Sequence, residues 1–260
     1  MIERNDAAPG VPLYDRFSAD YDRFVNWQNR LAYEMPFLTS RLAAVGARRV
    51  LDVACGTGQH AIALARAGYQ VSGADLSDGM IQVAKQNAGQ NGVDVEFVQA
   101  GFGRLANRLG GDYDALLCLG NSLPHALTHD ALEAALRDFR AVLRPGGVLI
   151  VQNRNFDLVW RTRNRFMPPE VHLEGEREWI FFRFYEFHPE TITFHVNTLQ
   201  KTGAGWSSTV DSAELRPVFQ DEVVSLLVEA GFSHIECLGG LAEEPFDPEQ
   251  SGNLVLVARA

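Results

Sequence analysis

The sequence predicts an α/β fold in which a parallel sheet is wrapped by helices and interrupted late in the chain by an antiparallel β insertion. Three observations carry that reading. Short apolar runs of strand length alternate with amphipathic stretches between positions 49 and 152. Strands joined through helices of ten or more residues imply right-handed crossovers, and so parallel pairing. From about 155 to 217 the rhythm breaks into β-branched and aromatic runs, which suit antiparallel strands.

The first ten residues, with Pro9 and Gly10, read as a loose tail. From Tyr14 to about Val45 the apolar spacing is helical and breaks near Met35-Pro36, giving an N-terminal helical cap over about 12–45. Residues 49–53 form a buried-strand candidate, and 56–67 a helix closed by Gly68. A second strand covers 69–74. Ser77 caps the next helix, which carries Met80, Ile81, Val83 and Ala84 and ends near Gly89 or Gly92. Strands follow at 93–98 and 113–119, then a helix over 130–143 stopped by Pro145-Gly146-Gly147, then a strand at 148–152. Residues 179–187 and 191–201 flank His188-Pro189-Glu190 as a hairpin or small antiparallel sheet. That insertion, over about 160–217, is either purely structural or a lid, and its place at the strand ends favours the lid. A helix at 220–230 and strands at 233–238 and 253–258 finish the chain.

Composition narrows the functional classes. The 260 residues are 46% hydrophobic and 22% charged, and no second core is visible, so 1–260 reads as one domain. Lys and Arg total 23 against 33 Asp and Glu; the net charge of -10 repels phosphate backbones and argues against nucleic acid as a partner. No apolar run approaches the ~18–20 residues of a membrane span, and the start lacks a signal peptide's apolar region. Cys55, Cys118 and Cys237 have neither zinc nor disulfide spacing, which suits the cytoplasm. The expected partner is a small molecule, with no metal, and a homo-oligomer stays open.

The informative stretch is Val50-Leu51-Asp52-Val53-Ala54-Cys55-Gly56-Thr57-Gly58-Gln59-His60. A strand runs into a glycine turn that opens a helix, where the backbone can approach a ligand and free N–H groups favour an anionic group. Seventeen residues beyond Gly58, the second strand ends in Ala74-Asp75, whose carboxylate can accept both hydroxyls of a ribose. Together these point to an adenosine-containing cofactor. The third glycine of a nicotinamide-dinucleotide fingerprint is missing, and so is the Gly-Lys-Ser/Thr of a phosphate-binding loop. Asp52 suits a zwitterion with an ammonium and a sulfonium better than a pyrophosphate, unless it only ties down the loop.

These residues resemble the class I S-adenosylmethionine-dependent methyltransferases. The resemblance rests on Leu51 to Gly58, on Asp75, and on Leu143-Arg144-Pro145-Gly146-Gly147, and it covers about 14–154. It implies a doubly wound, Rossmann-like sheet of seven strands, mostly parallel, with the last antiparallel. It also implies S-adenosyl-L-methionine as cofactor and S-adenosyl-L-homocysteine as product, held by Asp52, Ala54, Gly56, Gly58, Asp75, Leu76, Met80, Gly101 and Phe102. A closer resemblance, to the glycine and glycine/sarcosine N-methyltransferases, lies in Cys118-Leu119-Gly120-Asn121-Ser122, in His125, and in Asn153-Arg154-Asn155-Phe156-Asp157. It implies Asn121 and Arg154 as the catalytic residues that hold an amino-acid substrate. It adds Tyr14, Tyr21, Arg30, Leu119 and His125 as cofactor contacts. The chain departs from that family twice. Gly101-Phe102 replaces the Asp-Trp or Asn-Trp that meets the adenine, and Tyr185 is the only tyrosine between 171 and 217, where the family's glycine pocket has several. Fold and cofactor survive these departures; glycine as acceptor does not follow.

The implied reaction asks little of the protein. A sulfonium already activates the methyl group, so in-line displacement needs proximity, orientation and exclusion of water. A neutral amine needs no strong base, and no arrangement of side chains demands one, which favours the nitrogen of an amino acid or related carboxylate. Arg154, at a strand end, offers a planar fork to a carboxylate, unless it is a plain surface arginine. The alternatives are an O-methyltransferase for a larger aromatic or natural-product metabolite, with His125 as base, and a catalytically inactive cofactor-binding protein.

Overall fold

The computed structural model describes residues 12–203 and 205–260; the tail expected over the first ten residues lies outside them. The chain opens with α1 (Pro12–Phe24) and α2 (Trp27–Ala43). It continues through β1 (Arg49–Val53), α3 (Gln59–Arg66), β2 (Gln70–Asp75), α4 (Asp78–Asn91), β3 (Glu96–Gln99) and the short α5 (Leu105–Leu109). Next come β4 (Tyr113–Cys118), α6 (His129–Val142), β5 (Leu143–Arg154) and α7 (Phe156–Thr162). Four strands follow, β6 (Glu170–Glu174), β7 (Arg177–Phe187), β8 (Ile192–Thr202) and β9 (Gly205–Leu215), before α8 (Gln220–Glu229), β10 (Ser233–Leu238) and β11 (Asn253–Arg259).

Seven strands form one sheet in the order β10-β11-β5-β4-β1-β2-β3, with β11 antiparallel to both its neighbours and the other pairings parallel. Strand side chains alternate faces, so the apolar runs feed two cores at once. Leu51, Val53, Leu116, Cys118, Leu149 and Val151 point to α6 and α8. Val50, Ala115, Leu117, Val148 and Ile150 pack with α2, α3 and α4 on the other face. Burial of this kind contributes roughly 1.5–3 kcal/mol for each large apolar side chain. Among the described residues no helix is long and apolar enough to cross a membrane.

The insertion is a separate antiparallel sheet of four strands, β6-β7-β8-β9. Its inner face carries Trp179, Phe181, Val196 and Ala213, buried against Leu13 and Phe17 of α1. The sequence shows β7 and β8 clearly. It conceals β9, whose residues 205–210 are all exposed and carry little apolar alternation.

The helical cap breaks at a different place from the one expected. The chain turns at Val25-Asn26, where the Asn26 side chain accepts from the Asn29 N–H at 3.1 Å and caps α2. Pro36 lies inside α2, and burial of Phe37, Leu38 and Leu42 carries the helix through it.

Asp114 ties the lower end of the sheet together. Its carboxylate accepts the N–H groups of Arg48 and Arg49 at 2.7 and 2.8 Å and pairs with Arg144 Nε at 2.5 Å. Burial works against its charge, but Arg144 and the two N–H groups outweigh it and bring the pKa down to about 2. A depressed carboxylate contributes stability that is complete above its unfolded value near pH ~4 and is lost as pH falls toward 2. Urea midpoints measured from pH 5 to 2 should therefore fall less steeply in Asp114→Asn than in the parent, and equal slopes would refute this account.

Candidate active site

The loop after β1 is wound by residues in the left-handed region, Ala54 (φ +54°), Gly56 (φ +54°) and Gly58 (φ +78°). At Gly58 the need for glycine is also steric, because a Cβ there would lie 2.7 Å from the Phe97 ring and 3.0 Å from Ala84. That conformation delays α3 to Gln59, three residues later than the sequence pattern suggests. Asp75, at the end of β2, accepts the Gly56 N–H on one oxygen and the Ser77 N–H on the other, both at 2.9 Å. Burial raises its pKa against these bonds. Each oxygen keeps a lone pair, so the carboxylate can still accept hydroxyls.

Asp52 sits one strand inward and is buried. Its Oδ2 has no hydrogen-bond partner among the described residues. Burial pushes its pKa up to about 6, with His60 and Arg30 opposing and the Asp75 charge assisting. An orphaned carboxylate oxygen beneath a glycine loop fits a ligand that brings a cation.

Helix α1 is pinned over this loop. Asp22 accepts from four donors: Trp27 Nε1 at 2.7 Å, the Thr57 hydroxyl at 2.5 Å, Gln59 Nε2 at 3.1 Å and Asn87 Nδ2 at 2.9 Å. The Ser77 hydroxyl donates to Asp15 at 2.5 Å. Tyr21 lies against the Gly56 backbone.

Beside α1 opens a cavity of about 530 Å³, walled by α1, α2, the ends of β4 and β5, and the inner face of the four-stranded sheet. The Tyr14 hydroxyl and His125 Nε2 are hydrogen-bonded at 2.9 Å. Burial brings the His125 pKa down to about 4, so the ring is neutral near pH 7. Arg30 pairs with Glu34 at 3.1 Å, and Glu34 with His60 at 2.5 Å. Asn121, itself left-handed (φ +69°), donates its backbone N–H to the Gln152 carbonyl, and its side-chain oxygen accepts the Arg154 N–H at 2.9 Å. Asn155 caps α7 and Asp157 accepts from the Gln220 N–H, so of this run Arg154 is the charged side chain that lines the cavity. Among the described residues no carboxylate pairs with its guanidinium.

The cavity thus brings together Tyr14, Tyr21, Arg30, Asn121, His125 and Arg154. The other expected contacts lie outside it. Ala54, Gly56 and Gly58 belong to the loop after β1, Asp52 lies in β1, Asp75 and Leu76 stand at the end of β2, and Gly101 abuts Leu76. Met80 and Leu119 are buried, and Phe102 packs edge-on against Phe139 of α6. Sequence reasoning passed over Glu34, Gln152, Asn153, Glu170 and Arg183, which also line the cavity. Arg183 had a visible signal, as a cation at an inward position of an aromatic strand. Among the described residues no group of three or more His, Cys, Asp or Glu is placed to hold a metal.

Residues 50–147 match a family model described as a methyltransferase domain. Over 235 residues the chain is 30% identical to the glycine/sarcosine N-methyltransferase of Aphanothece halophytica, covering 87% of this chain and 82% of that one. The chain belongs to the S-adenosylmethionine-dependent methyltransferases. The methyltransferase is also 37% identical to the glycine/sarcosine N-methyltransferase of Halorhodospira halochloris over 143 residues, which is 55% of this chain and about half (53%) of that one. In fold it is similar to the sugar N-methyltransferase KedS8 from Streptoalloteichus, with a TM-score of 0.72, 23% identity, and coverage of 100% of this chain and 98% of that one. The glycine loop and Asp75 of the methyltransferase have the donor and acceptor chemistry for S-adenosylmethionine, and the unpaired Asp52 oxygen has the charge.

Proposed function

We propose that this methyltransferase acts on the nitrogen of a small amine that carries a carboxylate. The observation that carries the reading is Arg154, a guanidinium with no protein counter-ion among the described residues, set at a strand end beside Asn121 in the cavity. A planar fork in such a place takes a carboxylate bidentately. Bound S-adenosylmethionine supplies a methyl group that its sulfonium has already activated. The protein's own part is then to orient the acceptor and exclude water. Asn121 fixes the Arg154 backbone, the inner face of the insertion covers the cavity as a lid, and the Tyr14–His125 pair closes its floor.

Nitrogen is favoured over oxygen by His125. A hydroxyl acceptor needs a base, and an imidazole depressed to about 4 is a poor one. The family resemblance to glycine/sarcosine N-methyltransferases supports the same choice, while similarity in fold to a sugar N-methyltransferase keeps amino sugars as the second reading. The test is transfer of labelled methyl into a panel of amino acids, amino sugars and phenols. Label in amino acids is the expected result. Label confined to amino sugars or phenols would overturn the proposal.

A further inference from the structure

Trp179, Phe181, Arg183 and Tyr185 alternate onto the inner face of β7, and the three aromatic members are buried. Arg183 is the charged one among them, with its side chain only 13% exposed. Its Nη2 lies 3.4 Å from both the Pro168 carbonyl and Glu170 Oε1, long for bonds to a charged donor. Its guanidinium stands 4.9 Å from the Phe24 ring centre, and its Nε is buried without a partner among the described residues. A buried donor left unmade is costly, so what this edge lacks is an acceptor. Asn153 tells the same story. It is buried, lines the cavity, and has both its side-chain oxygen and its nitrogen unpartnered among the described residues.

The charges around the cavity do not balance. Arg30 is matched by Glu34, which His60 also engages. Arg183 has Glu170 only at 3.4 Å and half exposed, and Arg154 has no acidic partner among the described residues. Burial and the neighbouring Arg154 charge both act to lower the Arg183 pKa, so the two guanidiniums sense one another. A single carboxylate would satisfy Arg154 and leave Arg183 with its open edge.

We propose that the methyl acceptor carries a second acidic group held by Arg183, which makes Arg183 a specificity-determining residue for an amino dicarboxylate. This rests on the reading of the acceptor as a carboxylate-bearing amine and narrows it. Two arms from two different sheets, β5 and β7, then hold the two ends of one substrate. The volume, about 530 Å³, lies within the range of small-molecule sites and admits it.

The test uses the full chain with S-adenosylmethionine and compares kcat/KM for glycine, sarcosine, aspartate, glutamate and iminodiacetate. The parent should favour at least one dicarboxylate over glycine and sarcosine by about tenfold or more, through KM. In Arg183→Gln that ratio should fall by about tenfold, with the KM for the dicarboxylate raised and kcat little changed; Arg183→Lys should lie between. Calorimetric affinity for S-adenosylmethionine reports whether each variant is folded, and the preference of the parent stands as evidence even where a variant is not. A parent that prefers glycine or sarcosine, or a folded Arg183→Gln with an unmoved ratio, overturns the proposal. If glycine is methylated in an Arg154-dependent way without any dicarboxylate preference, only the role of Arg183 falls. If no amino carboxylate is methylated at all, the broader reading falls with it.

Discussion

Replacing Arg154 by alanine is expected to lower kcat/KM by about two decades or more while changing the affinity for S-adenosylmethionine by less than about twofold. Two decades correspond to about 2.7 kcal/mol of lost transition-state stabilisation. The size follows from where the residue stands. The guanidinium is exposed in the cavity wall and pairs with no carboxylate among the described residues, so a substrate carboxylate would be its partner, and removal would leave that carboxylate without its bidentate anchor. Its backbone is fixed by Asn121, so little reorganisation is needed to present the fork. Lysine restores the charge but not the planar geometry, and Arg154→Lys should recover only part of the loss. The cofactor loop lies outside the cavity wall that Arg154 occupies, which is why its binding should be spared. Steady-state kinetics and calorimetry on the same preparations decide the matter. Near-parental efficiency in Arg154→Ala, or an equal loss in cofactor affinity, would contradict the assignment.

Asp75→Ala should weaken S-adenosylmethionine binding by about 1.5–3 kcal/mol, or roughly 10- to 150-fold, the usual value of a hydrogen bond to a charged group. The variant loses two things at once. One is the acceptor expected to take the ribose hydroxyls. The other is the clamp between the Gly56 and Ser77 N–H groups, which leaves two backbone donors without their partner. Thermal stability should therefore fall along with affinity. Isothermal titration at a temperature where both proteins remain folded separates the two effects, and an unchanged Kd there would remove Asp75 from the cofactor site.

What was legible in the sequence was whatever has a short-range physical signature. The parallel strands announce themselves because burial on both faces demands unbroken apolar runs such as Ala115 to Cys118. The loop from Ala54 to Gly58 is legible because a left-handed backbone needs glycine, and Arg154 because it leaves a strand end. Contacts that join distant segments left no such mark. Asp22 serves donors from α2, the loop, α3 and α4, and nothing at position 22 distinguishes it from any exposed aspartate. The kink at Met35-Pro36 was expected from local chemistry, yet the Asn26 cap and the burial of Phe37 and Leu38 moved it. β9 pairs with β8 along its whole length although its first residues offer water no apolar stripe to avoid.

Set against the cation of a bound cofactor, the Asp52 oxygen that has no partner among the described residues would couple proton traffic to cofactor exchange. With a pKa raised to about 6, the carboxyl is partly protonated in mildly acidic solution. A cation arriving beside it would favour the ionised form, so each binding event near pH 6 would expel on average about half a proton to buffer. Protons and cofactor then compete for one atom. Acidification would then loosen the enzyme's hold on S-adenosylmethionine while Asp114, with its far lower pKa, still secures the sheet. Such an enzyme would lose its cofactor well before it lost its fold.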